Sequence, residues 1–395
     1  MEENLSENRY RRLEQLGWKQ SILKSMKVLV VGSGAIGNEV IKNLALLGVG
    51  QIYIVDMDTI ETHNLTRSVL FRPEDIGKEK SIVAAKRAIE IDPSIQTIPF
   101  VSYIQTIFGL GAYRRFDVVF GCLDNLQARR DINRYCYQTN TIYIDGGLNF
   151  LDGSVRCFAS PYKVCFDCIL SSEMRNRAWK RFSCLKLLSD QLGDSFPTAP
   201  TISAIVAGLM VQIAVKYMHG MTIPNGEEIL YMGNIDDPGR SKFFYNPDCP
   251  THMQYDQIIS DDLIMINHNS QKLTLKDLIN IVKQKLGEKA VLKIDFELIE
   301  SFECYRCETK DFVFKRKGFV FLDDAICRKC ELKGNHKIED LIRRPEEKYE
   351  FYGNEVYVNR TLQELNFPKL SIYEGYNDKQ QLFFEIFGDE KDIFI

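Results

Sequence analysis

The run V-L-V-V-G-S-G-A-I-G, residues 28–37, constrains this chain more than any other stretch. Apolar strand formers at Val28–Val31 lead into Gly32, Gly34 and Gly37, which open a helical pattern. Such glycines permit a tight strand-to-helix turn and let the backbone approach a phosphate, whose charge suits a helix N-terminus. Asp56 closes the next apolar strand 19 residues after Gly37, where a carboxylate reaches a ribose hydroxyl. This much describes a dinucleotide site, most often one for NAD or FAD.

The polar residues that follow point elsewhere. Asp58, Asn64 and Arg67 come directly after Asp56, Lys78 and Lys80 stand in G-K-E-K, and a strand D-V-V-F ends in G-C-L-D-N with Asp124. Hydride transfer has no use for Asn-x-x-Arg facing the nucleotide. Chemistry at phosphorus does, because Arg neutralises charge growing on a phosphate. Asp124 sits where a carboxylate can hold the Mg²⁺ that travels with ATP. Each of these residues alone also fits a solvated charge or a helix cap. Apolar strands (Val28–Val31, Ile52–Asp56, Val118–Cys122, Ile142–Asp145) alternate with helical patterns (Asn38–Leu47, Lys80–Ile91, Leu126–Thr139). That order predicts an α/β fold: a Rossmann-like parallel sheet with its ligand at the strand C-termini.

At 395 residues the chain has room for two or three domains. We expect a polar N-terminal helix over 1–25, a larger α/β domain over 26–256 and a smaller α+β domain over 257–395. A net charge of −4 gives no nucleic-acid footprint. The longest apolar run, Thr201–Tyr217, is short for a membrane span and carries Lys216, so it reads as a buried helix with no membrane partner. Eleven cysteines behind an N-terminus lacking a signal-peptide pattern point to metal sites and reduced thiols, with a cytoplasmic location expected.

Two cysteine constellations carry metal-ligand spacing. Cys165-x-x-Cys168 and Cys249-x-x-His252 can each clip a metal from one turn and together complete a tetrahedral Zn²⁺ site, although a lone CxxC can also be redox-active. Cys304-x-x-Cys307 and Cys327-x-x-Cys330 have zinc-ribbon spacing. Both sets are closed, which suits structural zinc. Cys122, Cys136 and Cys157 lie in apolar segments and read as inert buried thiols. Cys184 follows the basic run R-N-R-A-W-K-R-F-S-C, and cationic neighbours favour thiolate; it could equally be a buried residue of a helix over Cys184–Leu192.

The runs R-Y-R-R, G-S-G-A-I-G, D-M-D-T-I-E-T-H-N-L-T-R, G-K-E-K, C-L-D-N, C-F-D-C and P-T-I-S-A-I-V-A-G-L-M-V-Q together resemble the ubiquitin-activating-enzyme superfamily. That group includes the adenylyltransferases serving molybdopterin and thiamine synthesis, and the matching region runs from residue 9 to about 252. The resemblance implies ATP·Mg²⁺ binding and adenylation of the C-terminal glycine of a ubiquitin-like β-grasp protein. It assigns ribose binding to Asp56, phosphate contacts to Asn64, Arg67 and Lys80, Mg²⁺ to Asp124, and to Arg12 an arginine finger reaching across a homodimer. It further implies a thioester on Cys184 and transfer to a conjugating enzyme.

Two positions depart from the family pattern. Where many relatives carry their cysteine shortly before the apolar helix, this chain reads D-S-F-P with Ser195, and His252 replaces a second zinc cysteine. The C-terminal order of strand, helix, strand, zinc ribbon, short capped helix (Thr361–Leu365) and last strand (Leu382–Ile386) is compatible with a β-grasp-like, ubiquitin-fold domain, or with a dimerisation appendage. A sulfur-carrier adenylyltransferase without a thioester step, a nicotinamide oxidoreductase and an inactive heterodimer subunit are the rival expectations.

Overall fold

The computed structural model describes residues 9–161, 163–175, 198–255, 257–258, 263–332 and 341–394. Cys184 and Ser195 lie outside the described residues. Internal contacts divide the described chain into two compact units, one holding 9–107, 113–170 and 198–257 and the other 108–112, 171–175 and 258–394.

The first unit is built on an eight-stranded sheet. Its strands are β1 (Lys27–Val31), β2 (Gln51–Val55), β3 (Gln96–Phe100), β4 (Val118–Gly121), β5 (Ile142–Asn149), β6 (Asp152–Phe158), β7 (Glu227–Met232) and β8 (Asp237–Lys242), in the spatial order β3-β2-β1-β4-β5-β6-β7-β8. The pairs from β3 to β5 are parallel, and β6, β7 and β8 are added antiparallel. Val28–Val31 and Ile52–Val55 are buried throughout, as expected of parallel strands covered on both faces. The chain leaves β1 toward β2 on one side and returns to β4 on the other. The sheet therefore has a switch point between β1 and β4, where the strand ends part and a ligand crevice opens.

Helices α1 (Arg11–Gln15), α2 (Gln20–Ser25), α3 (Ala35–Leu47), α4 (Lys80–Ile91), α5 (Leu126–Thr139) and α6 (Pro200–Met218) belong to this unit. The single N-terminal helix expected over 1–25 is, within the described residues, two short helices broken at Leu16–Lys19. The apolar run forms α6, packed against α3, β5 and β6. It is long and apolar enough to cross a membrane, but its Ile202, Val206, Met210 and Ala214 face the protein core.

The second unit is a mixed sheet of β9 (Leu263–Ile266), β10 (Val291–Glu303), β11 (Lys310–Arg316), β12 (Arg344–Phe351), β13 (Ile372–Tyr376) and β14 (Gln381–Ile386). Strand β12 runs along one side of β10, β13 and then β11 pair with successive parts of its other side, and β14 and β9 follow β13. Among the described strands of this unit, only β14 and β9 pair in parallel. Helix α7 (Leu275–Leu286) lays Leu275, Leu278, Ile279, Val282 and Leu286 on this sheet and is opened by the reciprocal capping pair Thr274 and Asp277. The helix expected at Thr361–Leu365 is instead one turn. Thr361 and Glu364 cap each other, yet a single i→i+4 bond forms before Asn366 turns left-handed at φ 56°.

Candidate nucleotide site and cysteine clusters

At the switch point, Gly32 leaves β1 with φ 89°, and a Cβ there would stand 2.5 Å from the Cys122 carbonyl oxygen at the end of β4. Gly37 permits the first turn of α3 to close on β1, since its Cβ would meet the Gly32 carbonyl oxygen at 1.9 Å. Gly34 has nothing within 4 Å of that position, which leaves the α3 N-terminus open to a phosphate.

Asp56, just past β2, accepts from the Ser33 backbone N–H at 2.7 Å and its hydroxyl at 2.9 Å through one oxygen. Its other oxygen accepts from the Asp58 N–H at 2.9 Å. The carboxylate thus fixes the glycine turn besides standing beside it. Exposed Asp58 pairs with Lys80, the first residue of α4, at 2.9 Å. Asn64 is buried in the 3-10 turn Thr62–Thr66, accepting from the Glu61 N–H at 2.9 Å; Arg67 ends that turn half-buried, with no ion pair recorded among the described residues. Asp124 is exposed, directly before Asn125, which caps α5 by accepting from Ala128 N–H at 3.0 Å. Glycine turn, Asp56, Lys80 and Asp124 therefore leave the C-terminal ends of β1, β2 and β4 on one edge of the sheet. Arg12 is not there: α1 is seated near Gly48 and Asp92, which follow the C-termini of α3 and α4.

Two groups of supporting residues were not singled out in the sequence. Asn38 donates to the Ser33 carbonyl and accepts from the Leu70 N–H at 2.8 Å, tying the glycine turn to the chain beyond Arg67. Arg129 lies under the Asp124 loop, paired with fully buried Asp145 at 2.6 Å and donating to the Leu123 carbonyl and, at 2.9 Å, to that of Gly146. Arg156 also meets Asp145, at 3.0 Å, and Tyr143 donates to it at 2.9 Å. Arg129 sits at i+4 from Asn125, a spacing that gives no hint of these partners on other strands.

Both cysteine constellations assemble. Cys165, Cys168, Cys249 and His252 place their ligand atoms within 4.8 Å of one another, with Sγ–Sγ distances of 3.9 and 3.6 Å and Cys168 Sγ 3.8 Å from His252 Nδ1. Four tetrahedral ligands about 2.3 Å from Zn²⁺ stand about 3.8 Å apart. Arg130 and Thr251 both donate to Asp167, inside the first Cys pair, at 2.7 and 2.9 Å, and so brace that turn. Cys304, Cys307, Cys327 and Cys330 gather equally tightly, with 3.7 and 3.6 Å pairs. The Thr309 hydroxyl pulls the Cys307 thiol down to about 6, toward the thiolate that a metal binds. The donor sets fit zinc. Burial pushes Cys122, Cys136 and Cys157 upward, the last to about 12, as inert thiols require.

A Rossmann-like sheet with charged residues gathered at its switch point is the architecture of nucleotide-binding α/β proteins. The ThiF family profile matches residues 8–250, and the chain belongs to the ThiF family. It is 36% identical over 148 residues to the ubiquitin-activating enzyme E1-like protein of Saccharomyces cerevisiae, covering 37% of this chain and 23% of that protein. It is 29% identical over 217 residues to ubiquitin-like modifier-activating enzyme 5 of Dictyostelium discoideum, covering 50% and 53%. The probable molybdopterin-synthase adenylyltransferase of Porphyra purpurea is 34% identical over 139 residues, covering 35% and 36%. The chain thus spans between about a quarter and about half of these relatives. Among solved structures, E. coli MccB with ATP shares the fold at TM-score 0.51 and 24% identity, over 63% of this chain and 74% of that one.

Proposed function

We propose that this chain activates a ubiquitin-like β-grasp protein at the expense of ATP. The observation that carries the reading is the convergence of the open Gly34 turn, Asp56, Lys80 and Asp124 on one sheet edge of a ThiF-family domain. ATP lies with its ribose at Asp56 and its phosphates toward Asn64, Arg67 and Lys80, and Asp124 holds Mg²⁺, which screens the phosphate charge. A C-terminal glycine carboxylate oxygen attacks the α-phosphorus, a C–O–P bond forms, and the bond to the bridging oxygen breaks to release pyrophosphate. This displacement needs charge neutralisation and alignment more than a base. Arg12 from a second copy completes the site, in a homodimer.

In the next step the Cys184 thiolate attacks the acyl carbon, AMP leaves, and the thioester passes to a conjugating enzyme docked on the second unit, in the cytoplasm. The two cysteine clusters hold structural Zn²⁺. Incubation with ATP·Mg²⁺ and glycine-ending β-grasp proteins, read on a non-reducing gel, tests the sequence. A dithiothreitol-labile adduct lost in Cys184→Ala supports the thioester. Pyrophosphate exchange without an adduct reduces the activity to adenylation, as in a sulfur-carrier adenylyltransferase.

A further inference from the structure

The N-terminal segment is pinned at two points and open between them. Tyr10 is buried, and its hydroxyl donates to the Asp92 carboxylate and lies 3.2 Å from the Ser94 hydroxyl. Ser94 in turn gives Asp92 its backbone N–H at 3.0 Å and its hydroxyl at 2.8 Å. Arg9 donates to the Ile91 carbonyl at 3.0 Å and stands 3.4 Å from Asp92, a cation at the C-terminus of α4. Gly48 makes room for the Tyr10 ring: a Cβ there would meet the hydroxyl at 2.4 Å. At the second point Trp18 sets its ring edge-on to His219, 5.0 Å between centroids, and the Lys19 N–H donates to His219 Nε2 at 2.8 Å.

Between these anchors α1 has no buried residue, and Leu16 is 72% exposed. One helical turn without a packed face is not stable by itself. Here the anchors impose it, and they present Arg12 to solvent. The nucleotide crevice is at the N-terminal ends of α3 and α4, whereas Tyr10 sits at their C-terminal ends. The 13 residues of α3 separate the two by about 20 Å. Two residues carry the chain from Tyr10 to Arg12 by at most about 7 Å, so the Arg12 guanidinium is offered to another molecule.

We propose that Tyr10, acting through Asp92 and Ser94, is a positioning residue that sets the Arg12 turn for insertion into the nucleotide site of a second copy. This rests on the reading of the chain as an adenylating homodimer. Loss of the Tyr10 hydroxyl leaves the subunit's own Gly34, Asp56, Lys80 and Asp124 intact and lets the turn wander. The effect belongs to turnover in the partner's site and not to ATP binding in its own.

Hybrid dimers, co-expressed with two tags and purified through both, test this by ATP–pyrophosphate exchange with glycine-ending β-grasp proteins. Tyr10→Phe homodimers are expected to lose about tenfold to a hundredfold in exchange rate, with unchanged ATP affinity and a folded thermal transition; Asp92→Asn follows in the same direction. A Tyr10→Phe/Asp124→Asn hybrid recovers one of its two sites, because the Asp124→Asn subunit supplies a well-placed Arg12 to the intact crevice. A Tyr10→Phe/Arg12→Ala hybrid recovers neither. An Arg12→Ala/Asp124→Asn hybrid is the control. If the control recovers and the Tyr10→Phe/Asp124→Asn hybrid does not, or if Tyr10→Phe homodimers retain the wild-type rate, Tyr10 has no positioning role. If the control itself fails, the trans-acting Arg12 reading falls and takes this inference with it.

Discussion

Gly37 is the residue at which steric room and function meet most tightly. A methyl group 1.9 Å from the Gly32 carbonyl oxygen forces the α3 turn away from β1, and with it the backbone N–H groups at the α3 N-terminus. Gly37→Ala is expected to lower stability by about 1–3 kcal/mol, the usual cost of overpacking, and to weaken ATP binding more than tenfold by titration calorimetry. Asp92 gives a pH signature. Burial pushes its carboxyl up, but hydrogen bonds from Tyr10 and Ser94 outweigh it and hold the group below its ordinary 3.8. A carboxyl held low contributes stability above its unfolded value and loses it as pH falls through the folded one. The stability penalty of Tyr10→Phe, about 2 kcal/mol for a hydrogen bond to a charged group, is therefore full at pH 6. It shrinks as pH drops below 3.8, which calorimetry at the two pH values checks.

Among elements, the cysteine clusters carry the clearest consequence. Each brings together turns far apart in sequence, so a metal ion held there would tie the fold: Cys165–Cys168 to Cys249–His252 in the first unit, Cys304–Cys307 to Cys327–Cys330 in the second. The purified chain should contain about two zinc ions by elemental analysis, and Cys307→Ser about one, with chelation lowering the melting temperature of both units. These clusters were legible because CxxC spacing is local chemistry. So were α4 and α5, whose helical pattern depends on near neighbours. Other features depend on contacts the sequence does not order. The N-terminal helix breaks where Gly17 takes φ 89°, and the chain beyond it is held by Trp18 and Lys19 engaging His219, 200 residues from Lys19. The support under Asp124 comes from Asp145 and Arg156 on neighbouring strands, and the Thr361 turn stops because Asn366 turns left-handed.

For the whole molecule, the strand order places the switch point between β1 and β4, and the α/β alternation was enough to foresee the Rossmann-like parallel sheet though not that order. The second unit's topology was less legible, because β10 pairs with β12 along one side and with β13 and then β11 along the other. A homodimer with Arg12 acting in trans predicts a solution mass near twice the 45.6 kDa chain mass by light scattering. Arg12→Ala should leave that mass unchanged and depress turnover without weakening ATP binding.

The most direct measurement is ATP–pyrophosphate exchange by the full chain, with and without glycine-ending β-grasp proteins, for wild type and Asp124→Asn. Exchange that requires both the β-grasp protein and Asp124 is the predicted result. ATP binding with no exchange in the presence of any such protein, or exchange indifferent to Asp124, would contradict the adenylation chemistry on which the account stands.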